Sequence, residues 1–246
     1  MSLPVFLAPS LSAAVVGERL GLAGDEARHA VVVRRIRVGE HLVLTDGRGF
    51  SAECAVESVT KSALSGRVLA VGSVAAPAPR LVVVQAIPKR DRGELAVEML
   101  TEIGADVIVP WAAARSVAVW RGERAAKSLT RWRSTAREAA KQSRRSWFPE
   151  VAEMAGTSGV LDLLRDAGLG VVLHEGATAP IGSLETSTER DIVVVVGPEG
   201  GISDEELAAF AEVDAEPVRL GPTVLRTSTA GVAAVAALLS RTPRWS

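Results

Sequence analysis

Ile192-Val193-Val194-Val195-Val196-Gly197-Pro198-Glu199-Gly200-Gly201 is the stretch that decides the fold. Five β-branched residues in a row show no polar alternation, so neither face of this strand is meant for water. Such strands belong to parallel sheets covered on both faces by helices. The glycines that follow let the chain turn sharply. Ser203 and Glu206 then stand at the spacing of a capping box, which opens a helix. Strand, turn and helix make up the repeating unit of an α/β domain. In open α/β sheets ligands collect beyond the carboxyl ends of strands. The turn is therefore either a plain strand-to-helix connection or a ligand loop. It lacks the Lys-Ser/Thr pair of a phosphate-binding loop and the spacing of a dinucleotide fingerprint. Glu199 would repel phosphate and suits a cationic ligand better.

The same unit recurs on either side. Leu81 to Ile87 and Leu169 to Leu173 read as buried strands, and Val107 to Val109 as a shorter one. Helices are predicted over Glu94 to Ile103, closed by Gly104, and over Gly122 to Arg145, broken near Trp147-Phe148-Pro149. Two more are predicted over Leu161 to Ala167, capped by Ser158, and Thr229 to Ser240. The first third differs. Strands over His41 to Thr45, Ser51 to Val59 and Arg67 to Val74, with an Asp46-Gly47-Arg48-Gly49 turn, suggest a compact barrel. Within the second strand, Ala55 and Val56 break the alternation. Ala75-Ala76-Pro77-Ala78-Pro79-Arg80 reads as a semi-rigid linker. The expected domains are residues 1–74, a linker 75–80, and residues 81–246.

Composition narrows the function classes. The chain has 246 residues, 48% hydrophobic and 23% charged, with a net charge of -1. That excludes a disordered polycation while leaving room for a local basic patch. Cys54 alone cannot form an intrachain disulfide or a cysteine cluster. His29, His41 and His174 lack metal-ligand spacing, so no metal is expected. No G-x-S-x-G elbow supports serine hydrolase chemistry. The apolar start has no basic leader, and the apolar stretch Thr229 to Leu239 is too short to span a bilayer. A cytoplasmic protein with no membrane contact is expected.

Two further strand ends carry polar residues. Leu173-His174-Glu175 closes one strand. Leu220-Gly221-Pro222-Thr223-Val224-Leu225-Arg226-Thr227 follows another and leads into the last helix. Hydroxyls there can cap that helix, but capping leaves Arg226 beside an apolar pair unexplained. Charge gives one more signal. Between Arg121 and Arg145 stand nine basic residues against two acidic ones. Arg133, Arg137 and Lys141 repeat every four residues and share one helix face, while Leu129, Trp132 and Ala136 share another. A second basic cluster holds Arg28, His29, Arg34, Arg35 and Arg37. Each patch alone fits a solvated surface. Together they fit one long polyanion, whose phosphates would offset the like-charge cost.

These motifs, taken together, resemble the RsmE family, the 16S rRNA (uracil N3) methyltransferases of the SPOUT superfamily. The likeness runs through nearly the whole chain. It includes His29 to Gly39 with Asp46-Gly47, then Thr101-Glu102-Ile103-Gly104, Pro110 and Arg115-Ser116. It continues through Glu138 to Arg145 and Pro149. It closes with Gly197 to Ser203 and with Leu220-Gly221 to Ala230. The last two motifs are the specific ones.

The resemblance implies an α/β fold: a C-terminal SPOUT domain with a trefoil knot, preceded by a small PUA-like β-barrel that binds RNA. It implies S-adenosylmethionine as cofactor, 16S rRNA or the small ribosomal subunit as partner, and a homodimer. The cofactor loops would be Leu173, His174 and Glu175, then Gly197, Pro198, Glu199, Gly200 and Gly201, then Leu220, Gly221, Val224, Leu225 and Thr227. Arg226 and Glu199 are the catalytic candidates. RNA-facing candidates are His29, Arg34 and Arg35 in the first domain, and Arg133, Arg137, Lys141, Gln142, Arg144 and Arg145 along the basic stretch. Two positions depart from the family pattern: Ser228 stands where Glu is frequent, and Met99 where Lys is frequent. A methyltransferase of another RNA is an alternative, separated by nucleoside mass analysis. A noncatalytic RNA-binding assembly factor is another, separated by cofactor calorimetry.

Overall fold

The computed structural model describes residues 3–9, 11, 14–89, 92–186 and 190–245, with Glu216 described in its backbone only. Two compact units result. One holds Met1–Ala76 with Lys141–Phe148, and the other holds Pro77–Ala140 with Pro149–Ser246.

In the first unit, β1 (Val5–Leu7), β2 (Arg19–Ala23), β3 (His41–Thr45), β4 (Phe50–Val59) and β5 (Ala63–Ser73) form one sheet. Its order is β1-β3-β4-β5-β2, and only β1 and β3 run parallel. Ala52, Cys54 and Val56 of β4 point inward, so Ala55 faces out and the alternation survives. The β4–β5 register shifts at Glu53/Cys54 and at Val56/Ser58, and such bulges bend a sheet. The Asp46-Gly47-Arg48-Gly49 turn packs on Trp147 and Phe148. A Cβ on Gly49, whose φ is 99°, would strike the Val74 carbonyl and the Trp147 indole. Sequence reading missed β1, β2, α1 (Gly24–Arg28) and the π-helix His29–Val33 that continues α1.

In the second unit, β6 (Leu81–Ala86), β7 (Val107–Trp111), β8 (Glu150–Val151), β9 (Leu169–Leu173), β10 (Ile192–Val196) and β11 (Glu216–Val218) form one wholly parallel sheet. The order is β11-β9-β10-β6-β7-β8. Both faces are covered. Leu81, Val83, Val171, Ile192, Val194 and Val196 join one apolar cluster, while Val82, Val84, Val172, Val193 and Val195 join the other. Alternate residues of one strand therefore enter opposite cores, which is why no polar alternation exists. Against the first face lie α2 (Arg92–Ile103), α3 (Gly122–Gln142) and α6 (Thr227–Leu239), with Leu100, Trp132 and Leu238 inserted. Against the second lie α4 (Thr157–Asp166) and α5 (Asp204–Ala211), through Val160, Leu164 and Phe210.

Several helix boundaries differ from expectation. Gly156, not Ser158, is the N-cap of α4, and no side chain caps it. The helix α3 stops at Gln142, and Arg144 takes a φ of 55°, a left-handed conformation that ends a helix. The helix α6 begins at Thr227 with Arg226 as N-cap, so the hydroxyls of the preceding loop do not cap it. Among the described residues no helix is long and apolar enough to cross a membrane.

Cys54 packs in the first core at 1% exposure, and burial with the nearby Glu53 charge pushes its thiol up to about 11. A thiol held protonated is a poor nucleophile. At pH 8 Cys54 should resist a water-soluble alkylating reagent in native protein and react within minutes in denaturant, as read by intact mass. Equal rates in the two states would mean this core is open.

Candidate functional site

Register sets the site. Val218, Leu173, Val196 and Gln85 pair side by side across β11, β9, β10 and β6. Three strand spacings make this row about 14 Å wide. The chain leaves the sheet at this edge in three loops, and they line one cavity of about 620 Å³. That lies within the usual range for small-molecule sites. The walls include Leu173, His174 and Glu175 from the first loop, and Gly197, Pro198, Glu199, Gly200 and Gly201 from the second. Leu220, Gly221, Val224, Leu225, Arg226 and Thr227 come from the third. The strand-end residues singled out by sequence thus lie around a single opening.

Each loop is anchored by its neighbours. The Glu199 carboxylate accepts a hydrogen bond from the Lys89 backbone N–H at 3.1 Å, tying the glycine loop to the exit of β6. Gly200 lies so close to Arg115 that an added Cβ would sit 2.8 Å from its carbonyl oxygen. Only glycine permits that approach. His174 Nδ1 accepts from the Gly176 N–H at 3.2 Å, so a neutral ring carries its proton on Nε2. Gln85 donates through Nε2 to the Thr227 carbonyl at 3.3 Å and steadies the start of α6. The Gln85 Oε1 and Ser228 Oγ atoms are buried without a hydrogen-bond partner.

Beneath the glycine loop, Glu206 is 5% exposed and gathers three elements. Its carboxylate accepts from the Ala114 N–H at 2.8 Å, the Thr157 hydroxyl at 3.0 Å and the Ser203 N–H at 3.1 Å. Ser203 Oγ in turn accepts from the Glu206 N–H, completing the capping box. One side chain therefore caps α5, holds the start of α4 and fixes the segment carrying Arg115.

Sequence reading did not assign Arg92, Arg115 and Arg219 to this cavity, yet all three line it with Arg226. Arg92 opens α2, and Arg115 follows β7, so both stand at carboxyl ends of neighbouring strands. Their position relative to the sheet edge was the available signal. Glu175, Glu199 and Asp204 bring negative charge to the same walls.

The RNA-facing candidates divide. His29, Arg34, Lys141, Gln142 and Arg144 line one small concavity of the first unit. Arg35 is exposed and adopts a φ of 56° outside that lining. Arg145 donates to the Trp147 carbonyl. In the second unit, Arg133 is occupied by the Val151 carbonyl and Glu153, and Arg137 lies 3.7 Å from Glu138. Lys141 does not share their exposed face. It is 5% exposed and paired with Glu26 at 2.9 Å.

An RNA methyltransferase domain family matches residues 76–239, and an RNA methyltransferase PUA domain family matches residues 22–69. The chain belongs to the ribosomal RNA small subunit methyltransferase E family. The family member of Mycobacterium tuberculosis is 49% identical over 226 residues, spanning 90% of this chain and 86% of its own. That of Bacillus subtilis is 31% identical over 229 residues, spanning 90% of each chain. The crystal structure of the family member from Neisseria gonorrhoeae, bound to S-adenosyl methionine, has a TM-score of 0.87 at 28% identity. It covers 97% of this chain and 98% of its own. In this family fold the cavity at the strand ends is the candidate site.

The Glu206 hub gives a stability test. Glu206→Ala strands three donors and should lower unfolding free energy by about 3 kcal/mol, measured by urea denaturation. Glu206→Gln keeps one acceptor oxygen and loses the Ser203 N–H, for a cost of about 1 kcal/mol. Equal, negligible losses would show that the carboxylate holds nothing together.

Proposed function

We propose that the chain transfers a methyl group from S-adenosylmethionine to N3 of a uridine in 16S rRNA of the small ribosomal subunit. The observation that carries this reading is the single cavity shared by three strand-exit loops. The fit to the cofactor is chemical as well as spatial. The glycine loop leaves backbone open to a ligand, Glu175 and Glu199 suit a cationic sulfonium, and neither loop offers a phosphate cradle. Leu173 to Glu175, Gly197 to Gly201 and Leu220 to Thr227 would hold it.

Bound there, S-adenosylmethionine would supply an electrophilic methyl group, its S–CH3 bond breaking so that the donor leaves as the neutral thioether. The residues do the rest. Uracil N3 is protonated at neutral pH and must lose that proton as the new N–CH3 bond forms. The departing proton passes to a carboxylate or to water at the cavity mouth. Glu199 is already tied to Lys89, which favours a holding role, and water is then the base. Arg226 stands at the start of α6 on the cavity wall and stabilises negative charge growing on a uracil oxygen. Arg92 and Arg115 add positive potential for a polyanionic substrate.

The wider architecture follows from the same family reading. Residues 1–74, joined by the Lys141–Phe148 segment that packs in the same unit, serve as an RNA-binding PUA-like barrel, 75–80 as linker and the rest of 81–246 as the methyltransferase domain, with a trefoil knot formed by its last loops. Val224 and Leu225 beside the cavity are 75% and 39% exposed. Apolar side chains at a site rim suit burial by a second copy, so the active form is a homodimer acting in the cytoplasm.

Mapping methylated nucleosides of 16S rRNA from cells with and without this protein tests the reaction. Loss of one N3-methyluridine is expected, and an unchanged map rejects the assignment. Arg226→Ala should leave S-adenosylmethionine affinity within about twofold by calorimetry while turnover falls by roughly 10²-fold or more. Undiminished turnover removes Arg226 from the chemistry. RNA affinity should weaken by roughly 10²-fold between 50 and 200 mM salt. A flat response contradicts phosphate-led binding.

A further inference from the structure

In the first unit a concavity of about 120 Å³ lies between the start of β1, the π-helix and the segment Lys141–Arg144. His29, Arg34, Lys141, Gln142 and Arg144 make up its polar walls, and residues 3–6 line the rest. The volume falls well below the range of small-molecule sites, so a nucleoside does not fit but a tetrahedral anion does.

Three costly features converge on it. The first is the π-helix His29–Val33, closed by the Arg34 N–H donating to the His29 carbonyl at 3.0 Å. In an α-helix, residues five apart point about 140° away from one another. The wider turn bonds the same pair end to end and brings Arg34 to the side of His29. Such turns are rare and cluster at functional sites. The second is the left-handed Arg144, with a φ of 55°. That conformation ends α3 and turns the chain so that Arg144 stands beside the opening. The third is the buried Lys141–Glu26 pair at 2.9 Å. The second Glu26 oxygen also accepts from the Leu7 N–H at 3.2 Å, so β1, α1 and the end of α3 are locked around the opening. The His29 ring stands edge-on to Phe6, with centroids 6.1 Å apart.

Lys141 is therefore neutralised by Glu26 and serves as scaffold. Arg34 is exposed and forms no salt bridge among the described residues. We propose that this concavity seats one backbone phosphate of the RNA strand. Arg34 supplies the charge, and His29 and Gln142 supply further hydrogen-bond donors. A phosphate held there fixes the position of the strand without reading its sequence. The proposal rests on the RNA substrate of the reading above.

The test is titration of the full-length protein with a fluorescent 16S rRNA fragment over a range of salt. Arg34→Gln should weaken binding roughly tenfold and reduce the slope of log affinity against log salt by about 1. Lys61→Gln removes the same charge from an exposed bend of the same unit that does not line the concavity, and should change affinity less than twofold. Calorimetry with S-adenosylmethionine should give the same affinity for both variants as for the unaltered protein. If Arg34→Gln binds like the unaltered protein, or if Lys61→Gln loses as much, the phosphate seat is overturned. A loss of affinity with no change in slope also overturns it, because the contact is then not to phosphate. Failure of the unaltered protein to bind the RNA at all would instead sink the substrate reading.

Discussion

Parallel pairing forces every strand of the second unit to end on the same side of the sheet, and the rest of the molecule's chemistry depends on that constraint. Backbone groups beyond the last paired residues must find partners outside the ladder. Here Val218, Leu173 and Val196 end their strands in one row, with Gln85 one residue short of the end of β6, so their exits are neighbours by register. Because both faces of the sheet are packed with valine, isoleucine and leucine, the row itself is rigid. Glycine-rich loops can then be held accurately although they carry few side chains of their own. Glu206 extends this rigidity outward by joining the start of α4, the cap of α5 and the segment before Arg115 through one carboxylate. The apolar core and the polar hub have separate tasks. One fixes where the chain leaves the sheet, and the other fixes how the departing segments lie.

What could be read from sequence follows from the same physics. Leu169–Leu173 and Ile192–Val196 were legible to the residue because apolar runs bounded by glycine on one side and a polar residue on the other have sharp ends. The capping box at Ser203 was legible because its chemistry is local. By contrast, β11 is three residues long and contains Pro217, and β8 has two residues, so their pairing comes from tertiary contact. The π-helix was illegible for a related reason. Five residues hold too little periodicity to tell an i→i+5 bond from the helix that precedes it. Ser158 was a sound cap candidate by type, yet α4 begins one residue earlier, and Gly156 occupies the cap with its extended backbone.

The site was legible where it lies on strand exits and obscure where it depends on which strands are neighbours. The three loops could each be named beyond a strand end. Arg92 and Arg115 could not be joined to them, because β6 and β7 precede β9 to β11 by long stretches of chain and meet them only through sheet order. Charge shows the reverse limit. The basic run from Arg121 to Arg145 was plain in composition, but sequence cannot show which cations are already spent. Arg133 is held by Glu153 and the Val151 carbonyl, and Lys141 by Glu26. A count of positive residues therefore overstates the surface available to RNA, and the small concavity at the end of this run identifies cations that a helical wheel would not group.

The two departures from the family pattern sit on packed helices and away from the cavity walls. Ser228 is 2% exposed on α6, and Met99 is half-buried on α2, the helix that packs against α6. A carboxylate at 228 would be a buried charge, tolerable only beside a compensating cation. The serine removes that charge and leaves a buried hydroxyl without a hydrogen-bond partner, at about 1–3 kcal/mol. An unpartnered hydroxyl is a smaller burden than an unpartnered buried charge, so a neutral residue at 228 asks less of its surroundings than a carboxylate would. Neither Met99 nor Ser228 lines the cavity, so both departures leave its glycine loop and Arg226 in place.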